Sequence, residues 1–148
     1  MKYFIPLVFL AIIFGSCNKE KRQAKKDEDI IKKYISDYHL SATATGSGLY
    51  YVMEITGTGS QASASSQVTV AYKGYFTDGK IFDQSDTAGI TFGLSQVIKG
   101  WTEGIPYFKE GGKGKLLIPS KLGYGSEGTN GIPGNSVLIF DINLIDVL

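Results

Sequence analysis

The chain has 148 residues, 43% of them hydrophobic and 12% aromatic, enough for one domain with a real core plus short extras. Its 15 basic and 14 acidic residues leave a formal net charge of +1, which argues against a general nucleic-acid binder. One cysteine excludes an internal disulfide framework and a cysteine-based metal cluster, and one histidine argues against a histidine-rich zinc site.

At the amino terminus, Met1-Lys2 precedes an apolar run from Tyr3 to Phe14, then Gly15, Ser16 and the sole cysteine, Cys17. The run falls short of the roughly 20 apolar residues a membrane-spanning helix needs. A positive start, a short apolar core and small residues before a cut form the secretory signal pattern. Ending on cysteine, the segment resembles a bacterial lipobox, with Phe14 where an aliphatic residue is usual. The expectation is a lipoprotein signal peptide over residues 1–16 and lipid attachment at Cys17. Asn18, rather than Asp, follows the cysteine, as in lipoproteins released to the outer membrane. The expected location is therefore the bacterial cell envelope, lipid-anchored at the outer membrane.

Residues 17–47 read as a charged, lipid-anchored tether followed by a short helix. Lys19 to Glu28 contains no apolar residue but Ala24, and its mixed charges suit a solvated face. Ile30, Ile31, Tyr34, Ile35 and Tyr38 then recur at the spacing of one helical face, with Asp27 or Asp29 available as an amino-terminal cap. So short a helix is marginal alone, so it is expected to pack on the domain or on a second copy. His39, just past its end, reads as a surface or capping residue. Ser41 to Ser47 reads as a small-residue linker.

From Gly48 to the end, residues 48–148, the pattern changes to period two. Strands are predicted around Tyr50–Ile55, Val68–Phe76, Ile81–Phe82, Ile90–Phe92, Lys115–Ile118 and Val137–Val147. Asp78-Gly79 between two such runs predicts a hairpin. The only helix predicted inside this domain covers Ile98 to Phe108. The 19 glycines and 4 prolines agree with many tight turns. The predicted fold class is α+β: a curved antiparallel sheet wrapped around one short helix, preceded by a short amino-terminal helix.

Several chemical motifs fail on context. Gly123-x-Gly125-x-x-Gly128 has the dinucleotide spacing, but Pro119 ends the preceding strand and a loop follows where a helix is required. Gly112-Lys113-Gly114-Lys115 has the wrong spacing for a phosphate loop. A serine hydrolase needs a histidine base, and His39 lies outside the domain. Asp83 and Asp86 are the only close carboxylates beside aromatics for glycoside chemistry. What remains is an ordered set of aromatic and acidic positions around Trp101, the only tryptophan. No metal or cofactor is expected, so any catalysis must come from binding and electrostatics.

That ordered set resembles the FKBP-type peptidyl-prolyl cis-trans isomerases. It comprises Val70-Ala71-Tyr72-x-Gly74-Tyr75, Asp78-Gly79-Lys80-x-Phe82-Asp83-x-Ser85 and Val97-Ile98-x-Gly100-Trp101-x-x-Gly104. Ile118-Pro119, Tyr124-Gly125 and Ile132-Pro133-x-Asn135-x-x-Leu138-x-Phe140-Asp141 complete it. The resemblance implies the FKBP-like fold and a proline pocket with Trp101 as floor. It implies Tyr72, Phe82, Val97, Ile90, Ile132 and Phe140 as further substrate-binding residues, with the side chain of Ile98 in the wall. As catalytic groups it implies Asp83, the Tyr124 hydroxyl and the Ile98 backbone amide. Proline-containing polypeptides are the implied substrates and macrolides possible inhibitors; a membrane partner enters only through Cys17, and the oligomeric state stays open. The chain departs from the family pattern at Ile90, where a pocket aromatic is frequent, at Ser95 after Leu94, and in a short Ser126–Gly134 loop. A second reading is a non-catalytic, membrane-anchored binding or assembly module using the same pocket.

Overall fold

A computed structural model describes the backbone of residues 11–148 and side chains from Ser16 onward. Most of the expected signal peptide, residues 1–10, lies outside the described residues. The first element is one long helix, α1 (Ala11–Asp37), and the charged stretch after Cys17 is part of it. Its lysines, glutamates, Gln23 and Ala24 are good helix formers. Ion pairs one turn apart line its exposed side: Glu28–Lys32 at 2.8 Å, Lys33–Asp37 at 2.7 Å and Lys25–Asp29 at 3.4 Å. Asp27 and Asp29 therefore sit inside the helix, and neither caps it. Among the described residues no helix is long and apolar enough to cross a membrane. The helix ends in a Schellman motif, with Leu40 N–H bonded to the Ile35 carbonyl at 2.9 Å and His39 N–H to that of Ser36 at 3.2 Å. His39 supplies the left-handed residue of that cap, φ +52°.

Seven strands follow among the described residues: β1 (Ala42–Ala44), β2 (Tyr50–Ile55), β3 (Gln67–Tyr75), β4 (Ile81–Gln84), β5 (Ile90–Gly93), β6 (Lys113–Ile118) and β7 (Leu138–Val147). Every pairing is antiparallel, in the order β1-β2-β6-β7-β3-β4, with β5 also on β3. β1 falls in the stretch read as a linker; three small residues carry no periodicity, and pairing with β2 makes them a strand. The Asp78-Gly79 hairpin forms as expected, with Gly79 at φ +87° and Phe76 N–H bonded to the Lys80 carbonyl.

The sheet is covered on both sides, and side-chain alternation divides its residues between two apolar clusters. Val68, Val70, Leu116, Ile118, Leu138, Phe140, Ile142 and Leu144 face the inner cluster with Trp101, Ile105 and Phe108. Val52, Tyr75, Leu117, Val137 and Ile139 face the other way, against Ile31 and Tyr34 of α1. The amino-terminal helix thus packs on the back of the sheet. Ile30 and Tyr38, counted in its apolar face, are exposed instead.

The inner helix, α2, is only Lys99–Gly104, followed by a 3-10 turn at Ile105–Tyr107. The residue pattern predicts a longer helix, Ile98 to Phe108. Pro106 stops it: proline lacks the amide the helix needs, and it disfavours helical geometry in the preceding residue. Gly100 and Gly104, one turn apart, let α2 settle on β6. A Cβ at Gly100 would stand 2.6 Å from Ile118, and one at Gly104 2.6 Å from Leu116.

Candidate active site

Between α2, the inner face of the sheet and the loop after β6 lies a cavity of about 610 Å³, within the range of small-ligand sites. It is lined by Tyr72, Phe82, Asp83, Phe92, Gln96, Val97, Ile98, Trp101, Tyr124, Thr129, Asn130, Ile132 and Phe140. Of the residues expected from sequence, all but Ile90 meet here. Ile90 is a correction: it is 47% exposed and outside the cavity. Phe92 provides the wall instead, with its ring centroid 5.2 Å from that of Trp101. Two residues along a strand span about 6–7 Å, enough to carry Ile90 past the cavity's edge. Gln96 and Asn130 also join the lining. No periodicity marks them, because Gln96 lies in a 3-10 turn and Asn130 in a loop.

Trp101 is 4% exposed and is packed edge-on by Tyr72, 5.1 Å at 88°, and by Phe140, 5.3 Å at 85°. Phe82 stands edge-on to Phe140 at 5.5 Å. Such T-shaped pairs set a quadrupole-positive ring edge against a negative face, which fixes ring orientations beyond simple area burial. Gly74 makes room for them, since a Cβ there would lie 2.7 Å from both the Phe140 and the Phe82 rings. The Trp101 indole N–H is buried without a hydrogen-bond acceptor among the described residues. The packed rings of Tyr72, Phe82, Trp101 and Phe140 make the deep end of the cavity aromatic surface.

The polar groups lie at the rim. The Tyr72 hydroxyl donates to Asp83 Oδ2 at 2.7 Å. Burial, then the Asp83 carboxylate accepting its proton, push the Tyr72 phenol up to about 12, so it remains a donor throughout the physiological range. Ser85 locks the two strands beside this pair: its Oγ accepts the Tyr72 N–H at 2.9 Å and its own N–H donates to the Tyr72 carbonyl at 3.0 Å. Tyr124 is 40% exposed, standing over the cavity from the loop after β6.

Backbone geometry sets the remaining wall. Ile98 immediately precedes α2, and its carbonyl accepts the N–H groups of Trp101, 2.9 Å, and Thr102, 3.2 Å. Its own N–H lies ahead of the helix, where no carbonyl of that helix exists to receive it. The outer side of α2 is held by Glu103, whose Oε1 accepts hydrogen bonds from the hydroxyls of Thr45 and Ser47, both at 2.7 Å. Among the described residues no cluster of histidine, cysteine and carboxylate side chains is arranged to hold a metal ion.

Comparisons with known proteins agree with this architecture. The profile of the FKBP-type peptidyl-prolyl cis-trans isomerase family matches residues 58–145. The FKBP-type peptidyl-prolyl cis-trans isomerase FkpA of Escherichia coli is 42% identical over 141 residues, covering 87% of this chain and 52% of that protein. The FkpA of Buchnera aphidicola subsp. Acyrthosiphon pisum is 49% identical over 106 residues, covering 70% and 44%. The chain spans about half the length of these curated relatives. The crystal structure of FkpA from Escherichia coli superposes with a TM-score of 0.74 at 41% identity, over 88% of this chain and 63% of that one. That of a peptidyl-prolyl cis-trans isomerase from Pseudomonas syringae gives 0.76 at 34% identity, over 86% and 94%. With the ordered residues, the fold and these relatives in agreement, the chain belongs to the FKBP-type peptidyl-prolyl cis-trans isomerase family.

Proposed function

We propose that this protein accelerates cis-trans isomerisation of Xaa-Pro bonds in exported or envelope polypeptides. The observation supporting this reading is the aromatic cavity floored by Trp101, walled by Tyr72, Phe82, Val97, Ile98, Ile132 and Phe140, and rimmed by Asp83 and Tyr124. Rotation about the peptide bond must break amide resonance, a barrier of about 18–20 kcal/mol. In the planar ground state nitrogen donates its lone pair and the carbonyl is strongly dipolar; at the twisted geometry both effects fade. A prolyl ring seated on Trp101 places that bond in an apolar environment, which disfavours the dipolar planar form relative to the twisted one. The Ile98 amide and the Tyr124 hydroxyl hold carbonyls of the chain while the bond turns. Asp83 orients the Tyr72 hydroxyl and fixes the wall. No proton is transferred and no covalent bond is made, so each tenfold in rate needs only about 1.4 kcal/mol of preferential stabilisation of the twisted state. The same cavity is a binding site for macrolide inhibitors, with Phe92 closing the wall that Ile90 leaves open.

Residues 1–16 act as a lipoprotein signal peptide and Cys17, exposed on α1, carries the lipid. The anchor keeps the isomerase domain, residues 48–148, at the envelope, at the outer membrane by the rule read from Asn18. A proline-limited peptide assay on the full-length chain in detergent tests the activity. Catalysis that falls in Asp83→Ala and Tyr124→Phe, with little loss of fold, is the expected result. A folded protein that binds proline peptides but gives no acceleration would overturn the enzyme in favour of a binding module. Fatty-acid labelling in cells tests the anchor: Cys17→Ser is expected to lose the label.

A further inference from the structure

Asp27 is a fully buried carboxylate that the proposed chemistry does not use. It lies four residues before Ile31 on the buried face of α1, where simple packing calls for an apolar side chain. No basic side chain pairs with it among the described residues. Burial of a carboxylate is costly unless hydrogen bonds replace its water. Three do. Oδ2 accepts the Ser120 N–H at 2.8 Å and the Ser120 hydroxyl at 2.6 Å, while Oδ1 accepts Gln23 Nε2 at 2.7 Å. Two of these grip one residue of the loop that carries Tyr124.

The grip continues to the cavity. The Ser120 carbonyl accepts the N–H groups of Gly123, 3.0 Å, and Gly125, 2.8 Å, the two neighbours of Tyr124. Further along, the Tyr124 carbonyl takes the Gly128 N–H and the Gly125 carbonyl that of Asn135. The Tyr124 side chain itself makes no hydrogen bond among the described residues, so its aim depends on this backbone frame. We propose that Asp27 is a positioning residue for Tyr124: through Ser120, the helix behind the sheet sets where the Tyr124 hydroxyl stands over the cavity. The proposal rests on the role assigned above to Tyr124.

A double-mutant cycle on the full-length chain in detergent tests it, reading kcat/KM for a proline peptide alongside thermal unfolding. Asp27→Ala is expected to lower kcat/KM about tenfold, since small displacements of a substrate-holding group have large rate effects. Asp27→Asn, which keeps an oxygen acceptor, restores most of the activity. In a Tyr124→Phe background, Asp27→Ala has no further effect on kcat/KM, because the hydroxyl it positions is already gone. If Asp27→Ala does not fold, Ser120→Ala carries the same cycle with a smaller first loss. Equal losses in both backgrounds, or a loss of thermal stability with kcat/KM unchanged, overturn the positioning role while leaving the site intact. A Tyr124→Phe protein of unchanged kcat/KM has a different meaning: the site assignment itself fails, and the role of Asp27 falls with it.

Discussion

Gly100→Ala sets two opposing effects against each other at the helix carrying the cavity floor. Alanine is about 1 kcal/mol better than glycine inside a helix, and Gly100 is a helical glycine without positive φ, so propensity alone predicts stabilisation. Less than the full gain applies, because Gly100 is the second residue of α2. Packing points the other way. The new Cβ would stand 2.6 Å from Ile118 Cγ2, 2.8 Å from its Cδ1 and 3.0 Å from its Cγ1. Ordinary carbon contacts are about 3.5–4.0 Å, so α2 must lift off β6 by about 1 Å or Ile118 must turn. Ile118 is fully buried and has little room to turn. Overpacking of this kind costs about 1–3 kcal/mol, so the clash outweighs the propensity and a net loss of about 1–2 kcal/mol is expected.

The lift has a second consequence, because Trp101 and Ile98 travel with the helix. A displacement of about 1 Å at a substrate-holding group can lower the rate by up to about a hundredfold. Urea unfolding and the proline-peptide assay on the same preparation read both effects. Gly104→Ala is a parallel case: its Cβ would stand 2.6 Å and 2.8 Å from the two methyls of Leu116, a side chain as fully buried as Ile118, so a comparable loss is expected. Ile118→Ala placed in the Gly100→Ala background removes the clash and should restore activity while leaving a cavity cost. A Gly100→Ala protein at least as stable as the parent, with unchanged kcat/KM, would refute the close-approach reasoning.

Other perturbations test the electrostatics and the pocket. Burial pushes the Asp141 carboxyl up, but the Lys115 ammonium at 2.6 Å, the Tyr75 hydroxyl at 2.8 Å and Lys73 outweigh it and hold Asp141 below the ordinary carboxylate range. Its contribution is complete above about pH 4 and is lost as pH falls through the lowered value. Asp141→Asn should therefore cost about 1–2 kcal/mol at neutral pH, after allowing for partial exposure of the pair, and flatten the acid limb of a stability–pH curve. Tyr72 has the opposite sign: its phenol is held up at about 12, so the folded protein keeps a proton the unfolded chain sheds near pH 10. Stability from Tyr72 is complete below about pH 10 and declines toward pH 12, and Tyr72→Phe should reduce that alkaline loss, leaving the part due to Tyr75. Trp101 is the sole tryptophan, so a proline peptide should change its fluorescence saturably, and Phe140→Leu should weaken that titration.

Much of the fold was legible because period two is a strong signal wherever one face of a strand is buried. β7 shows how far it extends: Leu138, Phe140, Ile142 and Leu144 alternate onto the inner cluster, while Ile139 faces α1. The cavity was legible for a different reason, since its residues recur in family order and nearly all of them converge. Where the reading slipped, a local pattern was right but a partner decided the outcome. Ile90 and Phe92 have the same parity on one strand, and only the position of Trp101 selects Phe92. Ala42–Ala44 has no pattern of its own and takes its conformation from β2.

Asp27 is the sharpest case of a partner deciding the outcome. Within a run of lysines, aspartates and glutamates it looks like one more solvated charge, and its place before Ile30 and Ile31 suggests a cap. The helix continues through it, and the period that buries Ile31 and Tyr34 buries Asp27 as well. Those two facts, visible only once the helix is placed on the sheet, leave a carboxylate on an apolar stripe, which is costly unless hydrogen bonds replace its water. What the sequence does not supply is the partner, Ser120, 93 positions away. A charge found on a buried helical stripe therefore points to a distant hydrogen-bond donor, and here the tertiary structure identifies it as Ser120 and the loop it holds as the one carrying Tyr124.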